Sequence, residues 1–175
     1  VKVYSFSGKV NSASVNLGKA ELAGEKIPCI WKEDRIVGKP VTIGGKDYKI
    51  TLVNIGNPHC VVFSEKVDAV DLGTVGPEFE NCEYFPERIN AEFIRVVNKV
   101  TIKMRVWERG NGETWSCGTG AAAAVVAAVL GGYCEQDTNV TVKLRGGDLV
   151  VNYHSDGDVE LMGSVKTVYE GRLEI

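Results

Sequence analysis

Glu108-Arg109-Gly110-Asn111-Gly112-Glu113-Thr114-Trp115-Ser116-Cys117-Gly118-Thr119-Gly120 holds most of the reactive chemistry of this chain. It ends against Ala121–Leu130, an apolar run rich in good helix formers, so Cys117 should stand immediately before a helix N-terminus. Unpaired backbone N–H groups and the helix dipole favour negative charge there. That setting predicts an acidified thiol, part thiolate at neutral pH. The N–H groups of Gly118, Thr119 and Gly120 offer a cradle for a substrate carboxylate, and glycines on both sides of Thr119 let a ligand approach the backbone. Glu108 and Arg109 close an apolar strand through Val106 and Trp107. Arg109 can pair with a carboxylate and Glu108 with an ammonium group, so together they suit a zwitterionic amino-acid head.

A second cluster is Gly56-Asn57-Pro58-His59-Cys60. Asn57 precedes proline and is biased to extended geometry, and its amide can both donate and accept. His59 is a candidate to tune a thiolate or move a proton. Asn90, after Phe85-Pro86-Glu87-Arg88-Ile89, reads by itself as a turn residue. His154 reads as structural.

Those groups must be positioned by mostly β structure. Val1–Phe6 and Ser12–Leu17 alternate apolar and polar residues. Val41–Ile43, Gly44-Gly45 and Tyr48–Val53 read as a hairpin, and His59–Phe63 as a short strand. Phe79, Cys82 and Phe85, with Pro77 in a first turn, predict a helix over 76–83. Strands are predicted at 90–97 and 99–107. Asn139–Leu144, Leu149–His154 and Asp158–Met162 form a closing meander, broken at Gly146-Gly147 and Asp156-Gly157. The run from Ala121 to Leu130, stopped by Gly131-Gly132, is apolar all round and must be buried all round. The predicted fold is α+β: a mostly antiparallel, barrel-like curled sheet around one central helix, in a single domain over 1–175.

The chain has 175 residues, 44% hydrophobic and 25% charged, with net charge −3. That composition excludes disorder and collagen-like repetition. No basic run points to nucleic acid, and no stretch reaches the roughly 18 apolar residues of a membrane span. Five scattered cysteines without a CxxC pair argue against a metal site and a disulfide framework. Reduced thiols and a cytoplasmic protein are expected. The chain opens at Val1 without an initiator Met, which suggests part of a longer protein.

Taken together, Gly56-Asn57-Pro58-His59-Cys60, Phe85–Asn90 and Glu108-Arg109-Gly110 through Cys117-Gly118-Thr119-Gly120 resemble the C-terminal half of diaminopimelate epimerases. The likeness covers most of the chain, including Gly146-Gly147 and Met162-Gly163. It implies a cofactor-independent isomerase of lysine and cell-wall precursor biosynthesis, which interconverts LL- and meso-diaminopimelate. In such enzymes two similar domains close over the substrate, each giving one cysteine at a helix N-terminus. One thiolate removes the α-proton and the other thiol protonates the opposite face. By motif, the resemblance makes Cys117 one of that pair, with His59 and Glu108 modulating the cysteines. It gives Gly118 and Thr119 to the α-carboxylate, and Asn57, Asn90, Glu108 and Arg109 to substrate binding.

The sequence departs from the family at Ser116, often Ala, and at Gly163-Ser164-Val165, often Gly-Pro-Ala. The larger departure is that no second Cys-Gly helix start exists. The expected partners are diaminopimelate, an N-terminal domain absent from this sequence and, through the exposed cleft face, a second copy. The chain alone should be inactive. Other readings stay open: a proline racemase-like relative, a thiol hydrolase using Cys117 and His59, and a binding or lid domain.

Overall fold

The computed structural model describes residues 1–174. Its strands are β1 (Lys2–Phe6), β2 (Lys9–Lys19), β3 (Lys39–Ile43), β4 (Lys46–Asn54), β5 (Pro58–Phe63), β6 (Asn90–Asn98), β7 (Thr101–Glu108), β8 (Gly112–Thr114), β9 (Asn139–Leu144), β10 (Gly147–Tyr153) and β11 (Asp158–Ser164). Two α-helices, α1 (Leu72–Glu80) and α2 (Gly118–Leu130), complete the framework. The strands form one mixed sheet in the order β1-β2-β11-β10-β9-β7-β6-β5-β4-β3, with β8 added against β7. All neighbours are antiparallel except β5 with β6 and β7 with β9.

The sheet curls around α2, which touches β4, β5, β6, β7, β9, β10 and β11. Its ladders do not close. A single bridge, Glu21 with Asn54, links the segment after β2 to β4. From Gly120 to Ala128 every residue of α2 is buried. The alanine-rich sequence makes this possible, because only short side chains let strands approach a helix from all sides at once.

The curled sheet, the central helix and the closing meander agree with the sequence reading. The hairpin β3–β4 turns at Gly44 and Gly45 with φ of 56° and 74°, the left-handed pair that such a tight turn needs. Three details differ. The short helix starts at Leu72, four residues earlier than predicted, and Pro77 lies inside it. Leu72, Val75 and Phe79 supply its buried face. The N–H of Asn81 turns back to Phe79 and Pro77 carbonyls and closes the helix, so Cys82 and Phe85 fall in the turn beyond it. Strand β1 is exposed along its whole length despite its alternation, since as an edge strand it has no layer packed on either face. Strand β8, three residues long, was not anticipated.

Two cores lie on opposite faces of β4–β7. Val53, Val61, Ile94, Met104 and Val106 pack toward α2. Leu52, Cys60, Val62, Ala91 and Phe93 pack toward α1 with Phe79 and Phe85. This second core is aromatic: Phe79 meets Phe93 edge-on at 5.3 Å, and Tyr48 at 4.9 Å. No helix among the described residues is long and apolar enough to cross a membrane.

Candidate active site

Cys117 is the N-cap of α2, with extended backbone (φ −140°, ψ 113°). Its sulfur accepts the Gly120 N–H at 3.3 Å and lies 3.7 Å from the Thr119 hydroxyl. Its carbonyl takes the Ala121 N–H. The anion cradle is therefore narrower than predicted: Gly120 is already used by the sulfur, and Gly118 and Thr119 are the donors left at the helix start.

The predicted acidification of Cys117 is overturned. Burial, first, and then the charges of Glu92 and Glu108 push its thiol from the ordinary 9.0 up to about 11. The Gly120 N–H and Thr119 hydroxyl act the other way but do not prevail. Desolvation of a thiolate inside a mostly alanine core outweighs what a helix N-terminus returns. At neutral pH Cys117 rests as a thiol.

His59 is fully buried. Its Nδ1 lies 2.7 Å from Glu92 Oε1 and its Nε2 lies 2.9 Å from Asn57 Oδ1. Neither ring nitrogen is left for Cys117, so the Cys–His dyad that a thiol hydrolase needs is not formed.

Asn90 braces the site. Its Nδ2 donates to the Pro58 carbonyl at 2.8 Å, and its Oδ1 accepts the Arg109 N–H at 2.9 Å. One side chain thus locks the turn carrying Asn57 to the turn carrying Arg109. Beneath them Glu80 is buried from the α1 side. It accepts from Trp107 Nε1 and from the Gly110 N–H, both at 2.7 Å, and from Arg88 at 2.9 Å. Burial works against its charge, yet those donors hold its carboxyl below the usual range. The Arg109 side chain is turned to the Glu87 carbonyl at 2.9 Å. Glu108 accepts from the Thr114 hydroxyl.

Asn57 and Arg109 line an open cleft of about 550 Å³, together with Lys26, Lys32, Pro58 and Glu87. Of the sequence-predicted residues, Cys117, Gly118 and Thr119 share the helix start. Asn57 and His59 are joined by a hydrogen bond, and Asn90 ties their turn to Arg109.

Glu92 was missed. It occupies an inward position of β6, opposite Val61 and Val106, and is fully buried. Its signal was a lone carboxylate within Ala91-Glu92-Phe93-Ile94, where the pattern calls for an apolar side chain.

The family model described as diaminopimelate epimerase matches residues 51–168. A diaminopimelate epimerase of Bacillus licheniformis is 43% identical over 169 residues, 96% of this chain and 59% of that protein. One from Pelotomaculum thermopropionicum is 46% identical over 164 residues, covering 94% and 58%. The chain thus spans under two thirds of the length of these curated relatives. Among solved structures, a predicted epimerase from Pseudomonas aeruginosa shares the fold at 16% identity, with a TM-score of 0.60 over 96% of this chain and 60% of that one. A hydroxyproline epimerase from Agrobacterium vitis does so at 11% identity, with a TM-score of 0.60 over 93% and 52%.

Proposed function

The chain belongs to the diaminopimelate epimerase family, and on that premise we propose that it is one of two domains of a cofactor-independent epimerase acting on diaminopimelate. The observation that carries this reading is the Cys117 sulfur, which caps the buried helix α2 next to the Gly118 and Thr119 N–H groups of its first turn.

In the reaction, a thiolate from the other domain takes the α-proton and becomes a thiol. The electron pair left on the α-carbon spreads into the carboxylate, whose developing charge is met by the Gly118 and Thr119 N–H groups. Cys117 then gives its proton to the opposite face and becomes the thiolate. The stereocentre inverts, and the two sulfurs have exchanged roles. A resting thiol on Cys117 suits the donor in that step, and a single acid on one face cannot invert the centre by itself. Glu108 and Arg109 bind the amino-acid head, and Asn57 and Asn90 contribute to its recognition. The enzyme works in the cytoplasm, as a step toward lysine and peptidoglycan precursors, and its exposed cleft face meets the second domain.

The test is proton NMR in D2O with LL- and meso-diaminopimelate. The chain alone should leave configuration unchanged, and mixing with a cognate N-terminal half should restore epimerisation that Cys117→Ala abolishes. Epimerisation by the chain alone would refute the half-site reading. No exchange in a folded, reconstituted mixture would refute the substrate.

A further inference from the structure

Glu92 is a charged group in an apolar wall, and the reaction above gives it no part. One oxygen, Oε1, bonds His59 Nδ1. The other, Oε2, is buried without any partner. The carboxylate also presses on the first turn of α2: a Cβ built on Gly120 would lie 2.8 Å from Glu92 Oε1 and 3.1 Å from the Cys117 sulfur. Carboxylate and sulfur are therefore less than about 6 Å apart, with a glycine between them that admits no screening side chain.

We propose that Glu92 is the positioning residue of this site, holding Cys117 in its proton-donating form and fixing the Asn57 amide through His59. The proposal rests on the reading of Cys117 as a proton donor. A buried carboxylate with an idle oxygen costs stability, and a chain selected for stability alone would place a valine there. Its negative charge opposes a second negative charge on the sulfur, so the proton stays until a carbanion calls for it. On its other side, Glu92 Oε1 lies 2.7 Å from His59 Nδ1, which holds the ring with Nε2 2.9 Å from the Asn57 side chain at the cleft.

The groups facing Cys117 are few. Glu92 comes from β6, Glu108 from the end of β7, and the Thr119 hydroxyl from α2 itself. His59 on β5 bonds Glu92, and Leu161 of β11 packs against Gly118. Glu108 is engaged by Thr114. Glu92 is the larger of the two charge effects on the sulfur.

The test needs no substrate, so it succeeds or fails independently of the epimerase reading. Alkylation of Cys117 by iodoacetamide is followed against pH, with the site resolved by peptide mass spectrometry. Glu92→Gln keeps the shape and removes the charge. It should move the profile at least one pH unit lower and speed alkylation at pH 8 about tenfold, whereas Glu92→Asp, which keeps the charge, should stay near the parent. An unchanged profile in a folded Glu92→Gln variant overturns the proposal. Should that variant not fold, infrared spectra of the parent chain carrying 13C-labelled glutamate decide at pH 7. An ionised Glu92 upholds the proposal and a protonated one overturns it.

Discussion

The two faces of β4–β7 are built from the same strands and packed by opposite rules. Toward α1 the space is filled by large rings, Phe79, Phe85 and Phe93, and the charges buried there are partnered: Glu80 by three donors, Arg105 by Glu113 and the Val67 and Val70 carbonyls. Toward α2 the space is filled by alanines and valines, and the buried carboxylate of Glu92 keeps one oxygen idle. The aromatic face is satisfied and serves to hold the Glu108–Gly110 turn from below. The alanine face stores the unsatisfied polarity, next to the sulfur. Stability and chemistry are thus divided between the sides of one sheet.

The largest effect should come from emptying the aromatic side. Phe79→Ala should cost about 3–5 kcal/mol in urea unfolding, because the Tyr48 and Phe93 rings packed against it cannot collapse onto the hole. A loss near 1 kcal/mol would mean that this face is softer than its ring contacts suggest. Filling the other side comes next. Ala124→Leu should cost about 2–3 kcal/mol, since α2 is enclosed by strands and has nowhere to shift. A neutral result would break the contrast between a packed and a crowded core.

The third effect is read against pH. The Cys117 thiol is raised in the folded chain, so its contribution is fully present below pH 9 and is lost as pH climbs toward 11. The loss should approach about 2 kcal/mol. The other four thiols are also raised by burial and add the same sign. Unfolding curves at pH 8 and pH 10.5 should therefore converge partly, and no further, in Cys117→Ala. The smallest effect belongs to neither face: Lys103→Ala, which breaks the exposed pair with Asp68, should change stability by less than about 1 kcal/mol.

Much of this arrangement was legible beforehand. The ten apolar residues of Ala121–Leu130 could only be a buried helix, and that forced a sheet around it. Cys117 at its start followed from the adjacent glycines. What the sequence concealed was the electrostatic balance at that start. Helix polarity is a local property and can be read from neighbours along the chain, whereas burial and the charge of Glu92 arrive from a strand 25 positions away. The same limit applies to Asn90, whose two backbone partners on separate turns have no trace in local spacing. The early start of α1 was missed for a smaller reason: its apolar face begins at Leu72, ahead of the proline taken to mark its first turn.

The ladder between β2 and β11 has a consequence for how the molecule comes into being. Val15 lies opposite Leu161, and the Ser14 hydroxyl donates to Glu160, 146 positions further along the chain. At translation rates of about 5–20 residues per second, β2 emerges roughly 7–30 s before the strand that completes it. Until then its only ladder is the hairpin with β1. Pairings of such long separation are slow to find, so this seam should set the pace of folding and form last. In the interval, the nascent chain carries an unsatisfied strand edge, and that is where a chaperone would have most to protect.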